Sequence, residues 1–405
     1  MMQKIILSLL SLRKYDSIRT MRFTLAFFVF YFLHAPLEAQ VQHRSIELGA
    51  YGGKILKIYN NFPERDMHSA VAITLSHWKP SLENNVFGRP ESGLCLTLHR
   101  FGNDSILGYG MGVQYEMAFE QRLSNRLFLT QRIRPGLIYN TKPFDYIDNT
   151  KNIVTGANLA ALVGVSIGLK YALSDRMSAK LDFSLWHSSN AHTRLPNVGM
   201  NSPLAAVSLQ YKFYQNPDTI TLPKCHRWKP NWSFIGFASY GVNQAGGTTR
   251  PVNGPSMTKW LGSAGVSYRF RTIHRLSLTV EAYHDNTYKL WNETMEWTES
   301  GDFAQASAIM LLAGHEFIYR RWGMLINAGV NLYNPSLDRI VTQVESESTI
   351  NTVKRYVPGR IGVRYYFLQR GDRYDAFAQA AVKSNLGQAD FFELGLGFNF
   401  SRLKN

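Results

Sequence analysis

From Arg44 to the C-terminus the chain runs in segments of about ten residues in which apolar and polar side chains alternate, separated by turn clusters, the pattern of a transmembrane β-barrel. Period two sends successive side chains to opposite faces of a strand. The pattern predicts sixteen strands in two sets of eight. The first set lies near 44–55, 67–78, 92–102, 106–120, 126–140, 157–173, 176–189 and 203–214. The second lies near 231–243, 257–271, 274–285, 303–319, 321–334, 355–368, 372–385 and 389–401. Short connections, "LSNR" at 123–126 and "LSDR" at 173–176, alternate with long ones such as Asn140 to Gly156. Outer-membrane barrels show that asymmetry, with tight periplasmic turns and longer outer loops. The connection at 79–91 is longer than the rule predicts.

The two sets repeat one another. "IGLKYALSDRMSAKLDFSLWHSSN" (167–190) answers "IGVRYYFLQRGDRYDAFAQAAVKSN" (361–385), and "GLIYN" (136–140) answers "VNLYN" (330–334). Each half closes on an aromatic-ended strand, "VSLQYKFY" and "LGLGFNF", with a Pro-rich linker between them. The fold class is therefore all-β, a transmembrane antiparallel β-barrel of sixteen strands in two similar eight-stranded halves. Two tandem barrels or one sixteen-stranded barrel would each leave no open edge in lipid. The length of the linker and the repeated closing strand favour the tandem form. The expected plan is a signal peptide at 1–39, a first barrel at 40–214, a linker at 215–231 and a second half at 232–405.

Composition narrows the class further. After the first 40 residues of the 405 no apolar run approaches the ~20 needed for a spanning helix, which excludes a helical membrane bundle. Met21-Arg22 followed by "FTLAFFVFYFLHAPLEAQ" reads as a complete secretory signal cleaved near Ala39, with residues 1–20 as an upstream start or extended n-region. No cysteine adjoins Ala39, so a lipoprotein anchor is not indicated, and the spacing of Cys95 and Cys225 does not decide whether they pair. The net charge of +15 is scattered, which argues against nucleic acid. In a secreted chain such a surface suits anionic lipid headgroups or phosphorylated glycolipid, or anchors strand ends at the interface.

The candidate chemistry sits in "LWHSSNAHTRLPNVGMNSP", Leu185 to Pro203. Strand seven rises from the short "LSDR" turn, so this stretch belongs at the outer end. Alternation puts Ala179, Leu181, Phe183, Leu185, His187 and Ser189 on the lipid face, and Lys180, Asp182, Ser184, Trp186, Ser188 and Asn190 on the interior face. His187 and Ser189, two apart on one face, are spaced for an imidazole to activate a hydroxyl. Parity along strand eight brings Asn201 to the same face, where it could fix the tautomer of His187. The plainer reading is a polar girdle at a strand end. Asn190, Asn197 and the Pro-Asn-x-Gly turn weigh against it. The other histidines show no HxxxH or HxH pairing, so neither a metal nor another cofactor is expected.

His187, Ser189 and Asn190 followed by Pro196, Asn197 and Gly199 resemble the motif of the PagL-type lipid A 3-O-deacylases and their longer relatives, the acyloxyacyl hydrolases. The resemblance covers about 44–214. It implies an eight-stranded outer-membrane barrel that hydrolyses an ester-linked acyl chain of lipid A, the partner being lipopolysaccharide. Ser189 would be the nucleophile and His187 the base, with Asn190 and Asn197 supporting the oxyanion or the loop. The family's acid, a glutamate, falls at or near Asn201, which is not acidic. In the second half "AAVKSNLGQADFF" keeps Ser384 and Asn385 but has Val382 in place of the histidine. One site per chain is expected, with the second half degenerate, structural or substrate-holding, and dispensable for the chemistry. The rival reading is a non-enzymatic barrel, either a porin-like channel or an adhesion or anchoring protein.

Overall fold

The computed structural model describes residues 43–78, 90–215, 230–250, 252–271, 273–298, 302–344, 348–370, 373–386 and 388–401. The expected signal peptide, the long connection after 78 and nearly all of the linker lie outside the described residues. The first eight strands are β1 (His43–Gly53), β2 (His68–Trp78), β3 (Glu91–Arg100), β4 (Tyr109–Arg122), β5 (Leu127–Asn140), β6 (Leu159–Ala172), β7 (Met177–Ser189) and β8 (Met200–Gln215). They close on themselves in sequence order, with Ala50 of β1 opposite Val207 of β8.

The second eight are β9 (Asn231–Gln244), β10 (Ser256–Arg271), β11 (His274–Asp285), β12 (Ser307–Tyr319), β13 (Trp322–Tyr333), β14 (Pro358–Arg370), β15 (Tyr374–Asn385) and β16 (Gln388–Phe400). They form a separate closed barrel, sealed where Gly395 of β16 meets Ser239 of β9. The tandem form is the architecture, and the single sixteen-stranded barrel is not.

Side-chain exposure alternates along the strands as period two demands. On β7, Leu181 and Phe183 are 59% and 58% exposed, whereas Lys180, Asp182, Ser184 and Trp186 are buried. The outward apolar face is solvated by lipid, and closure pairs the backbone groups that lipid cannot satisfy. No helix among the described residues is long and apolar enough to cross a membrane.

Both interiors are filled. In the first, Arg132 binds Glu47 at 2.6 Å and also Asp182, Lys180 binds Glu47 at 2.7 Å, and Arg134 reaches Glu116 and the Tyr51 hydroxyl, each at 2.6 Å. In the second, Arg360 lies between Glu281 at 2.6 Å and Glu393 at 2.7 Å. Charges this deep are tolerated because each has an opposite partner, since losing one partner strands the other in a poor dielectric. Over the first network an apolar plug of Ile55, Phe101, Ile138, Val154, Val198 and Met200 closes the outer mouth. Cys95 is a buried free thiol, and Cys225 is outside the described residues.

The outer loops of the second barrel hold helices that the strand pattern does not predict: α1 (Asn286–Thr294), α2 (Pro335–Arg339), a π-helical turn (Ile340–Val344) and α3 (Thr349–Tyr356). Each α-helix starts at a side-chain cap. Asp285 accepts from Thr287 N–H at 2.7 Å, Asn334 from Leu337 N–H and Ser348 from Asn351 N–H, both at 3.1 Å.

Candidate active site

β7 ends at Ser189 and β8 begins at Met200, so the loop 190–199 hangs between the ends of two paired strands. The strand register sets His187 directly opposite Asn201. His187 is exposed on the outer face, and its Nδ1–H donates to Asn201 Oδ1 at 2.8 Å. With the proton held on Nδ1, Nε2 is left with a free lone pair, the tautomer a general base requires.

Ser189 is half-buried, and the loop folds back over it. Asn197 Nδ2 donates to Ser189 Oγ at 3.0 Å, and the Ala191 N–H donates to the same oxygen at 3.1 Å. Ser189 Oγ in turn faces Asn197 Oδ1 at 3.4 Å, which also accepts from Asn190 N–H at 3.1 Å. Among the described residues no hydrogen bond joins His187 to Ser189. Gly199 bridges the space between them: a Cβ built there would lie 3.6 Å from both His187 Cε1 and Ser189 Cβ.

The two supporting asparagines have separate tasks. Asn197 touches the serine oxygen, while Asn190 Nδ2 donates to Arg194 O at 2.6 Å and pins the loop. The loop needs pinning, because Ala191 and His192 both occupy the left-handed region, with φ of 54° and 67°. For residues with a Cβ that conformation costs roughly 1–2 kcal/mol each.

Part of the restraint comes from the first barrel, where Gly199 N–H donates to Val154 O at 2.9 Å and Leu56 N–H to Asn201 O at 2.8 Å. The rest comes from the second barrel. Asn197 N–H donates to Thr248 O at 2.8 Å, and Gln244 N–H donates to His192 O at 2.9 Å. Leu195 N–H donates to Gln244 Oε1 at 2.5 Å, while Gln244 Nε2 donates to Gly254 O at 2.7 Å. His192 Nε2–H reaches Gly246 O at 3.2 Å, and burial pushes the pKa of this imidazole down. Sequence reasoning brought His187, Ser189, Asn190, Asn197 and Asn201 to this strand end but missed Gln244 and Thr248. Nothing local to them marks the contact, which spans 49 residues between Leu195 and Gln244.

In the second barrel, Val382 and Ser384 share the outer face of β15, and Gly359 of β14 lies opposite Ser384. No histidine stands beside Ser384 on its strand.

Residues 230–402, the second barrel, match the family model described as "Acyloxyacyl hydrolase, C-terminal domain". The motif carrying the PagL-type resemblance lies instead in the first barrel, so the two observations fall on different halves of a repeated plan. No curated protein matches the chain. Among solved structures, the KdgM porin aligns over 72% of this chain and 94% of its own at 7% identity, with a TM-score of 0.16. The outer membrane protein opdK from Pseudomonas aeruginosa aligns over 89% and 98% at 10% identity, with a TM-score of 0.22. The β domain of the Bordetella autotransporter BrkA aligns over 89% and 99% at 10% identity, with a TM-score of 0.23. At such scores the fold rests on the strand registers themselves. Two closed barrels with lipid-facing apolar walls, the second matching the acyloxyacyl hydrolase C-terminal domain, make this chain a bacterial outer-membrane β-barrel protein and support a PagL-type family.

Proposed function

We propose that the protein is a serine esterase of the outer membrane that removes an ester-linked acyl chain from lipid A at the outer leaflet. The observation that carries this reading is His187 on the lipid-facing wall, its Nδ1–H held by Asn201 and Ser189 next along the same face. Ser189 Oγ attacks the acyl carbonyl while His187 Nε2 takes the hydroxyl proton. His187 then returns that proton to the departing sugar oxygen, and water hydrolyses the acyl-enzyme by the same route reversed. Asn197 Nδ2 and Ala191 N–H, both donating to Ser189 Oγ, fix the position of the nucleophile. Asn201 orients the base without a charge to stabilise the imidazolium.

The second barrel carries no corresponding base and is catalytically degenerate. The channel alternative has less support, because both interiors are crossed by buried ion pairs. The test is mass spectrometry of lipid A from cells expressing the full chain or its Ser189→Ala variant. Loss of one acyl chain with the wild type and not with Ser189→Ala is expected. Unchanged lipid A in both, with the protein folded in the outer membrane, would refute the reading.

A further inference from the structure

A cavity of about 310 Å³ opens at the outer mouth of the second barrel, within the roughly 300–1,000 Å³ usual for small-ligand sites. Its floor is polar and buried, formed by Asp285 at the end of β11, Tyr288 on α1 and Asn385 at the end of β15. Asp285 Oδ1 takes the Lys259 ammonium and caps α1, but Asp285 Oδ2 has no hydrogen-bond partner among the described residues. A buried carboxylate oxygen left unpaired is costly, and Asp285 is one of the residues that line the cavity. Trp291, half-exposed, adds an aromatic face, and the rim carries the cations Arg250 and Lys354. One wall is His192, which belongs to the loop of the first barrel. His192 lies three positions after Ser189, so their Cα atoms lie within about 11 Å of each other.

Buried acceptors below, aromatic faces at the side and cations at the rim suit a sugar that offers hydroxyl or amide donors and carries an anionic group. We propose that this cavity binds the phosphorylated amino-sugar headgroup of the lipid whose ester Ser189 attacks. The inference rests on the function proposed above and gives the second barrel its task, that of holding the polar end of the substrate beside the loop that cleaves it.

The probe is the deacylated, bisphosphorylated glucosamine disaccharide of lipid A, titrated calorimetrically into the purified full-length protein in detergent. Wild type and Ser189→Ala are expected to bind it alike, because the nucleophile lies outside the cavity. Asp285→Asn, Trp291→Ala and Arg250→Ala should each weaken binding by about tenfold or more, and the disaccharide stripped of phosphates should bind less tightly and independently of Arg250. If Asp285→Asn fails to fold, Trp291→Ala and Arg250→Ala carry the comparison, since both side chains are at least partly exposed. No binding by the wild type, or equal binding by folded variants, would overturn the proposal. Disaccharide binding without any lipid A hydrolysis would instead remove the esterase reading and leave the sugar site standing.

Discussion

Replacing Gln244 by alanine is predicted to slow lipid A hydrolysis although Gln244 belongs to the second barrel. The substitution removes the acceptor of Leu195 N–H and the donor to Gly254 O. Leu195 is 1% exposed, so its stranded N–H costs about 1–3 kcal/mol, and loss of the other bond adds about 0.5–1.5 kcal/mol. The main-chain bonds Gln244 N–H to His192 O and Asn197 N–H to Thr248 O survive, so the loop is loosened rather than released. A penalty of about 2 kcal/mol lowers the ratio of formed to unformed loop by tenfold or more at about 1.4 kcal/mol per decade, and the rate falls as the unformed loop becomes populated. The assay is the initial rate of acyl release from purified lipopolysaccharide by full-length protein, with heat-modifiable gel mobility reporting the folded barrels. Thr248→Ala is the control, because Thr248 meets Asn197 through its carbonyl oxygen, which alanine keeps, and loses only an exposed hydroxyl bond from Gln388 Nε2 at 2.8 Å. A wild-type rate for folded Gln244→Ala would refute the claim that the second barrel sets the loop.

Three further predictions follow the same geometry. Asn201→Asp keeps the length of the His187 partner and adds charge, so it should hold or raise the maximal rate. Because a carboxylate raises the pKa of the imidazole it faces and the base must be neutral, the acidic limb of the pH–rate profile should move to higher pH. A large drop in rate, or a limb that moves the other way, would mean that Asn201 does not orient the base. Gly199→Ala should depress activity and loosen the loop, since Gly199 has φ of 74° and a Cβ there would lie 3.0 Å from Ser188 O; an unchanged rate in the folded variant would remove the constraint. His192 has its pKa lowered by burial, so the unfolded loop binds more protons, and this contribution to stability is present above about pH 6.5 and fades as pH falls below it. Protection of the loop against hydrogen exchange, taken relative to the intrinsic rate at each pH, should fall over that acid range in the wild type and less in His192→Gln; identical acid dependence in the two would exclude His192 as the cause.

The strands were legible because a lipid-facing wall and a filled interior impose period two on every one of them. Their predicted bounds fall within a few residues of the observed ones, as for 274–285 against His274–Asp285. The pairing of His187 with Asn201 was legible for the same reason, since parity alone carries a residue to a face. What parity does not carry is contact between barrels. Gln244 ends β9 as a polar residue among others, and only the closing of both barrels brings its amide to Leu195. The helices had local signals that the strand pattern overrode: Asn334-Pro335 and Ser348 are ordinary helix starts, and reading caps within the long loops would have found them. The interior networks were half legible, because parity turns Arg132 and Arg134 inward while the meeting of Arg132 with Glu47 depends on β1, far along the chain from β5.

The bond between Asn197 and Thr248 also orders events in time. The first barrel precedes its partner along the chain, yet the asparagine that donates to Ser189 is anchored by the carbonyl of Thr248, in the connection between β9 and β10 of the second barrel. On this arrangement a half-assembled chain has its serine, its histidine and the first barrel's bonds to the loop, but lacks those that Thr248 and Gln244 supply. On the proposed function, the loop around Ser189 is then fully braced only once the second barrel is complete, so hydrolysis would follow assembly and not precede it.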